Sequence, residues 1–120
     1  MIIGIGNDII EIERVRKACE SEHFLERCFT SEEIRRFKDY PQSLAGNYAA
    51  KEAVVKAMGT GFRKFYPGEI EVVRDEMGKP VVSFYGEAKQ LYEKLGGPNV
   101  FVTISHCNEY AMATCVMEKV

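Results

Sequence analysis

The sequence predicts a single α+β domain in which a largely antiparallel sheet packs with helices, and three observations carry this. β-branched residues alternate at the N-terminus, an alanine-rich stretch near the middle ends in glycine, and two strand-like runs close the chain around a polar turn. At 120 residues the chain is long enough for one core and too short for two, so residues 1–120 are read as one domain. No repeat, low-complexity tract or Pro/Ser-rich linker divides it.

Taken in order, residues 1–10 read as a strand with Ile3, Ile5 and Ile9 on one face and Ile2, Gly4, Gly6, Asp8 and Ile10 on the other. Asp8 therefore shares a face with two glycines, and a face without side chains at those positions admits another backbone or a bulky ligand. Residues 12–20 read as a helix burying Ile12, Val15 and Cys19, with Arg14 and Lys17 on its basic side, and a short helix follows near 22–28. Thr30 and Glu33 form a capping box that starts a helix over 31–39, which Pro41 is read as ending. Alanines at 45, 49, 50, 53 and 57 make Ser43 to Met58 the strongest helix, stopped by Gly59. Strands at 70–73 and 80–84 flank a turn over 75–79, a helix over 86–95 ends at Gly96-Gly97, and strands at 99–105 and 110–118 form a closing hairpin.

Composition narrows the function. A formal net charge of −2 argues against a nucleic-acid binder that relies on bulk positive field, although Arg14, Arg16 and Lys17 make a local basic cluster. No apolar run approaches the roughly 20 residues that span a bilayer. The apolar N-terminus lacks a basic leader and soon meets Asp8 and Glu11, so a cytoplasmic protein is expected. Cys19, Cys28, Cys107 and Cys115 show no CxxC pairing, and His23 and His106 lie far apart, so zinc-ligand spacing is absent and reduced thiols are expected.

Several residues invite chemistry. Asp8 interrupts an apolar strand, where a charge is costly unless paired, coordinated or solvated. Glu52 sits among alanines, and a strand carboxylate and a helix carboxylate can converge on magnesium, which takes one or two such ligands. Spacing alone leaves open a plainer alternative, with Asp8 capping the next helix and Glu52 pairing with Lys56. Gly59-Thr60-Gly61 is either a phosphate cradle with Lys56 one turn back or an ordinary C-cap. Neither a P-loop nor a dinucleotide fingerprint fits the glycines. Ser105-His106-Cys107 is not read as a nucleophilic dyad, because neighbours on a strand point to opposite faces, which leaves a phosphate contact or a plain hairpin-closing contact.

Five blocks in order then bear on the question. They are Gly4-Ile5-Gly6-Asn7-Asp8-Ile9-Ile10-Glu11-Ile12 with Arg14; Phe29-Thr30 with Glu33; and Ala45-Gly46-Asn47-Tyr48-Ala49-Ala50-Lys51-Glu52-Ala53 with Lys56-Ala57 and Gly59-Thr60-Gly61. Gly78-Lys79-Pro80 and Ile104-Ser105-His106 with Tyr110-Ala111 complete the set. Together they make the chain resemble the holo-acyl-carrier-protein synthase family of phosphopantetheinyl transferases.

The resemblance implies that family's fold and its reaction. In that reaction coenzyme A gives 4'-phosphopantetheine to a serine of apo-acyl carrier protein and releases adenosine 3',5'-bisphosphate, for fatty acid biosynthesis. It implies Asp8 and Glu52 as Mg2+ ligands and Lys56 as the diphosphate-side lysine, these three being the catalytic set, with Glu52 orienting the water that takes the serine proton. It implies Gly59, Thr60, Gly61, Pro80, Ser105 and His106 as the nucleotide surface. Arg14, extended by Phe24 and Arg27, is implied as the contact to the acidic carrier protein. Homotrimers with interfacial coenzyme A sites are implied as well. In two places the chain departs from the family pattern. Asn47 stands where an arginine associated with the 3'-phosphate is usual, leaving Lys51 or a cation of another subunit to substitute, and Glu20-Ser21-Glu22-His23 is less basic than in many relatives.

Overall fold

One long helix organises the molecule. The computed structural model describes residues 1–62 and 65–120. Strand β1 (Ile2–Glu11) leads into three short helices, α1 (Ile12–Ala18), α2 (Glu22–Cys28) and α3 (Ser31–Phe37), and then into α4 (Pro41–Met58). A 3-10 turn over Pro67–Glu69 precedes β2 (Ile70–Arg74) and β3 (Pro80–Phe84), followed by α5 (Gly86–Lys94), β4 (Asn99–His106) and β5 (Tyr110–Glu118). Among the described residues every ladder is antiparallel, as expected, but the strands divide into two sheets, one of order β1-β5-β4 and one pairing β2 with β3.

Pro41 does not end α3. That helix stops at Phe37, and Pro41 is instead the first residue of α4, where its missing N–H would have had no intrahelical partner. Helix α4 therefore starts two residues earlier than its alanine pattern suggests. The capping box forms as read: the Glu33 amide donates to Thr30 Oγ1 at 3.2 Å and the Thr30 amide to Glu33 Oε1 at 2.9 Å.

Helix α4 joins two apolar clusters. Ala49, Ala53, Val54 and Ala57 pack with Ile70 and Val72 of β2 and with Cys115 and Met117 of β5, while Leu44 and Ala45 meet Ile12, Val15, Leu25 and Phe29. Strand β5 alternates buried and exposed residues along most of its length, as a sheet with one covered face requires. On β1 the covered face is the glycine face. A Cβ at Gly4 would collide with the Ala57 carbonyl, and one at Gly6 with the Ala53 carbonyl and, at 2.8 Å, with the Lys56 Cβ. The isoleucine face points outward instead, with Ile5 68% and Ile9 64% exposed.

Among the described residues three polar side chains lie wholly inside. Glu33, Asn47 and Lys51 are each 0% exposed. Lys51 Nζ donates to Glu33 Oε1 at 2.6 Å, to the Cys28 carbonyl at 2.6 Å and to the Pro67 carbonyl at 3.1 Å. Asn47 Nδ2 donates to Glu33 Oε2 at 3.0 Å and to the Val72 carbonyl at 2.8 Å. The network ties α2, α3, the 3-10 turn and β2 to α4. Such a buried pair is retained because each charge satisfies the other, and removing one partner costs several kcal/mol.

The glycine contacts yield a test. Gly6→Ala drives a methyl into helix backbone that has no rotamer to yield, and is expected to destabilise the protein by about 3 kcal/mol or more in urea denaturation. A change below about 0.5 kcal/mol would show that β1 does not lie this close to α4.

Candidate active site

The close approach of β1 to α4 positions the two carboxylates. Gly4 faces Ala57 and Gly6 faces Ala53, so Asp8, two residues further, faces the preceding turn of α4, which carries Glu52. Asp8 and Glu52 line one cleft of about 310 Å³ together with Tyr48, Arg14 and Phe24. The two alternatives left open by spacing fail here. The N-cap of α1 is Glu11, which makes no side-chain cap, and Lys56 reaches Asp8 rather than Glu52. Its Nζ donates to Asp8 Oδ1 at 3.2 Å and to the Asn7 carbonyl at 2.9 Å.

Burial pushes the Glu52 carboxyl above its ordinary range, the Asp8 charge adds to this, and Lys56 partly offsets it. The phenol of Tyr48 is likewise held up, first by burial and then by the negative charges around it, Glu52 and Asp8 among them. Two carboxylates held together against their repulsion are a hard-oxygen pair that a divalent cation would relieve, and Mg2+ is satisfied by one or two protein carboxylates with water and phosphate oxygens. Among the described residues no group of three or more His, Cys, Asp or Glu converges on a metal site. The pair fits that ion, whose coordination would then be completed from outside the protein.

The other residues singled out in the sequence are spread over the surface. Gly59 is the αL C-cap of α4 at φ +83°, and with Thr60 and Gly61 it also lines a separate cleft of about 350 Å³ against α5. Pro80 lines a third cleft between β3 and β4. Ser105 and His106 stand exposed at the end of β4, paired with Met112 and Ala111. Arg14 and Phe24 share the carboxylate cleft, whereas the Arg27 guanidinium stacks 4.0 Å over the Tyr66 ring and is not part of that lining.

Asn47 and Lys51 correct an expectation. Neither is available to a phosphate, because both side chains are spent inside the core on Glu33 and backbone carbonyls. Tyr48, which the sequence reading gave no role, lies in the carboxylate cleft. Its position one helical turn before Glu52 was the available signal.

Comparison with known proteins accounts for this arrangement. The model of the 4'-phosphopantetheinyl transferase superfamily matches residues 4–115. A holo-[acyl-carrier-protein] synthase of Clostridium novyi is 47% identical over 122 residues, covering 98% of this chain and 88% of the relative. Among solved structures, a holo-(acyl-carrier-protein) synthase of Bacillus anthracis in complex with CoA (3',5'-ADP) superposes with a TM-score of 0.82 at 37% identity, covering 100% of this chain and 99% of that one. The Helicobacter pylori holo-[acyl-carrier-protein] synthase in complex with coenzyme A superposes with a TM-score of 0.82 at 30% identity, covering 95% and 99%. With the family model spanning nearly all of it and the fold shared throughout, the chain belongs to the holo-[acyl-carrier-protein] synthases of the 4'-phosphopantetheinyl transferase superfamily and is a phosphopantetheinyl transferase.

Proposed function

We propose that the chain carries out the magnesium-dependent transfer of 4'-phosphopantetheine from coenzyme A to a serine of apo-acyl carrier protein, releasing adenosine 3',5'-bisphosphate. The observation that carries this reading is the convergence of Asp8 and Glu52 in one cleft, with Lys56 held against Asp8. The coenzyme A complexes of the Bacillus anthracis and Helicobacter pylori relatives support the choice of donor. Service to fatty acid biosynthesis and a cytoplasmic location belong to the same proposal. Among the described residues no helix is long and apolar enough to cross a membrane.

The reaction forms a bond from the carrier serine Oγ to the β-phosphorus of coenzyme A and breaks the bond from that phosphorus to the bridging oxygen. Asp8 and Glu52 would hold Mg2+, which when bound supplies positive charge to the diphosphate oxygens as charge builds on them. Lys56 adds a second positive charge on the diphosphate side and keeps Asp8 in place. Glu52 would orient the water that takes the serine proton. Arg14 and Phe24 present a basic and apolar rim to the acidic carrier, where complementarity governs encounter more than affinity.

A homotrimer with interfacial sites is part of the proposal. Within one chain Pro80, Ser105 and His106 lie outside the cleft of Asp8 and Glu52, so a single copy does not gather the whole set. The outer face of β1-β5-β4 carries exposed apolar residues, Ile5 beside Val116 and Phe101 in one row and Ile9 beside Met112 in another, on either side of a polar row of Asn7, Thr114 and Thr103. Exposed apolar residues arrayed in this way mark an association surface.

Three outcomes are expected. Incubated with coenzyme A, Mg2+ and a panel of apo-carriers, the protein should yield carrier heavier by one phosphopantetheine, with Asp8→Ala and Glu52→Ala each slowing this by about 10³-fold or more. No mass gain with any carrier would overturn the reading, and release of phosphopantetheine without a carrier would make the chain a hydrolase.

The second outcome concerns pH. A carboxyl whose pKa is higher in the native than in the unfolded chain binds more protons when folded, so stability falls as pH climbs from the ordinary carboxylate range through the raised value. In chelator, Glu52→Gln should therefore melt above the wild type at neutral pH, by a margin that shrinks on acidification, while losing transfer. An unchanged or lower melting temperature at pH 7 would contradict the assignment of Glu52.

Third, the wild type should run as a trimer in light scattering and Ile5→Lys as a monomer with transfer reduced at least about tenfold. A fully active monomeric variant would refute interfacial sites.

A further inference from the structure

The carboxylate cleft holds one polar side chain that the transfer reaction leaves without a task. Among its described lining residues Asp8, Glu52 and Arg14 carry charge, and every other side chain except that of Tyr48 ends in hydrocarbon. Tyr48 therefore brings the cleft its one neutral hydroxyl. The ring is held from behind, with its centroid 6.0 Å from that of Phe24 and 6.5 Å from that of Phe29, and Phe29 is only 2% exposed. Its phenol oxygen lies near enough to Glu52, Asp8 and Arg14 to feel their charges. A fixed aromatic body with a polar tip offers a hydrogen bond at little cost in side-chain entropy.

Position along α4 says what meets that tip. Tyr48 stands one turn before Glu52, roughly 6 Å along the helix, and its ring packs with Phe24 at the rim offered to the carrier. The hydroxyl thus lies between the entrance and the carboxylates, on the side from which the serine comes. A serine hydroxyl docked here leaves water behind with one proton and two lone pairs to place. The proton goes to the water that Glu52 orients, and one lone pair faces the phosphorus. The second lone pair needs a donor. Asp8 and Glu52 have none to give when ionised, and Arg14 is taken by the acidic carrier at the rim.

We infer that the Tyr48 hydroxyl donates a hydrogen bond to Oγ of the carrier serine and so holds the nucleophile in line with the phosphorus. The inference rests on the transferase reading. Tyr48 keeps its own proton throughout. The bond that forms runs from serine Oγ to the β-phosphorus, the bond that breaks is the one to the bridging oxygen, and the serine proton leaves by the water. A phenylalanine at this position would fill the same space and leave the second lone pair unpaired.

Tyr48→Phe removes the hydroxyl and keeps the ring with its packing, so the test is a double-mutant cycle on affinity. Calorimetry in Mg2+ compares apo-carrier with a carrier whose serine is replaced by alanine, each against the wild type and against Tyr48→Phe. The alanine carrier is expected to bind the wild type about threefold or more weaker than the apo-carrier does, the worth of one neutral hydrogen bond. Tyr48→Phe should bind the two carriers within about 1.5-fold of each other. In transfer, Tyr48→Phe should lower kcat about threefold to tenfold with the KM for coenzyme A unchanged, since the donor site is untouched. A serine effect on affinity that is the same in Tyr48→Phe as in the wild type overturns the inference. A rate loss without such coupling overturns it too, by placing the hydroxyl on Glu52 instead. Either result leaves the transferase reading standing, whereas a wild type that shows the coupling and modifies no carrier keeps the serine contact and sinks the transferase.

Discussion

Everything at the site depends on how closely β1 lies against α4. Two residues of an extended strand advance about 6.8 Å and four residues of helix about 6 Å, so a strand and a helix in contact stay in step over a few repeats. Gly4 and Gly6 face Ala57 and Ala53, and the next step pairs Asp8 with the turn that carries Glu52. Without Cβ atoms on the strand, and with alanines on the helix, the backbones approach until carbonyls of α4 touch Cα atoms of β1. A glycine in a strand costs roughly 0.5–1 kcal/mol relative to alanine. That cost is offset by the burial of Ala53, Val54 and Ala57 against Cys115 and Met117 of the adjoining strand.

Lys51 and Glu52, neighbours in sequence, have opposite fates because successive helical residues point about 100° apart. Lys51 turns inward, where Glu33 and the carbonyls of Cys28 and Pro67 use all three of its donors. Burial drives its pKa down, and the adjacent Glu33 carboxylate offsets only part of this. Glu52 turns toward β1 and stays half-buried beside a second carboxylate. The inner network fixes the rotation of α4 about its axis, since any turn that freed Lys51 would strand Glu33. The same rotation aims Glu52 at Asp8. In the network the Asn47 Oδ1 has no partner among the described residues, one buried acceptor left over in an otherwise closed set.

Much of this was legible in the residues, for reasons that also explain what was not. The capping box, the Gly59 stop and the closing hairpin are local, and each depends on a few neighbouring residues whose preferences agree with the fold. The direction of the isoleucine face of β1 is not local. Alternation told Ile5 from Gly6 without telling which faced the core, and the usual preference for burying isoleucine pointed the wrong way. Pro41 was ambiguous in the same manner, since proline both ends one helix and begins another. Helix α4 is covered on most of its circumference, so its pattern could not separate a cation of the core, Lys51, from a cation of the surface, Lys56. The spacing of Asn47 and Lys51, four apart and both meeting Glu33 of the capping box, was the signal available.

The two faces of β1 join the proposed assembly to the site. Even-numbered residues from Gly4 to Asp8 fix the strand on α4 and carry a metal-ligand candidate, while Ile3, Ile5 and Ile9 on the odd positions form part of the apolar surface. Because side chains alternate with a period of two, a slip of β1 by one residue would put isoleucine against the helix backbone and turn Asp8 to the outside. An association that buries the isoleucines therefore also holds the glycines in register. The carboxylate pair, whose repulsion pushes the strand away from the helix, is then opposed from the far side of the same strand. The proposed assembly would thus support the site mechanically.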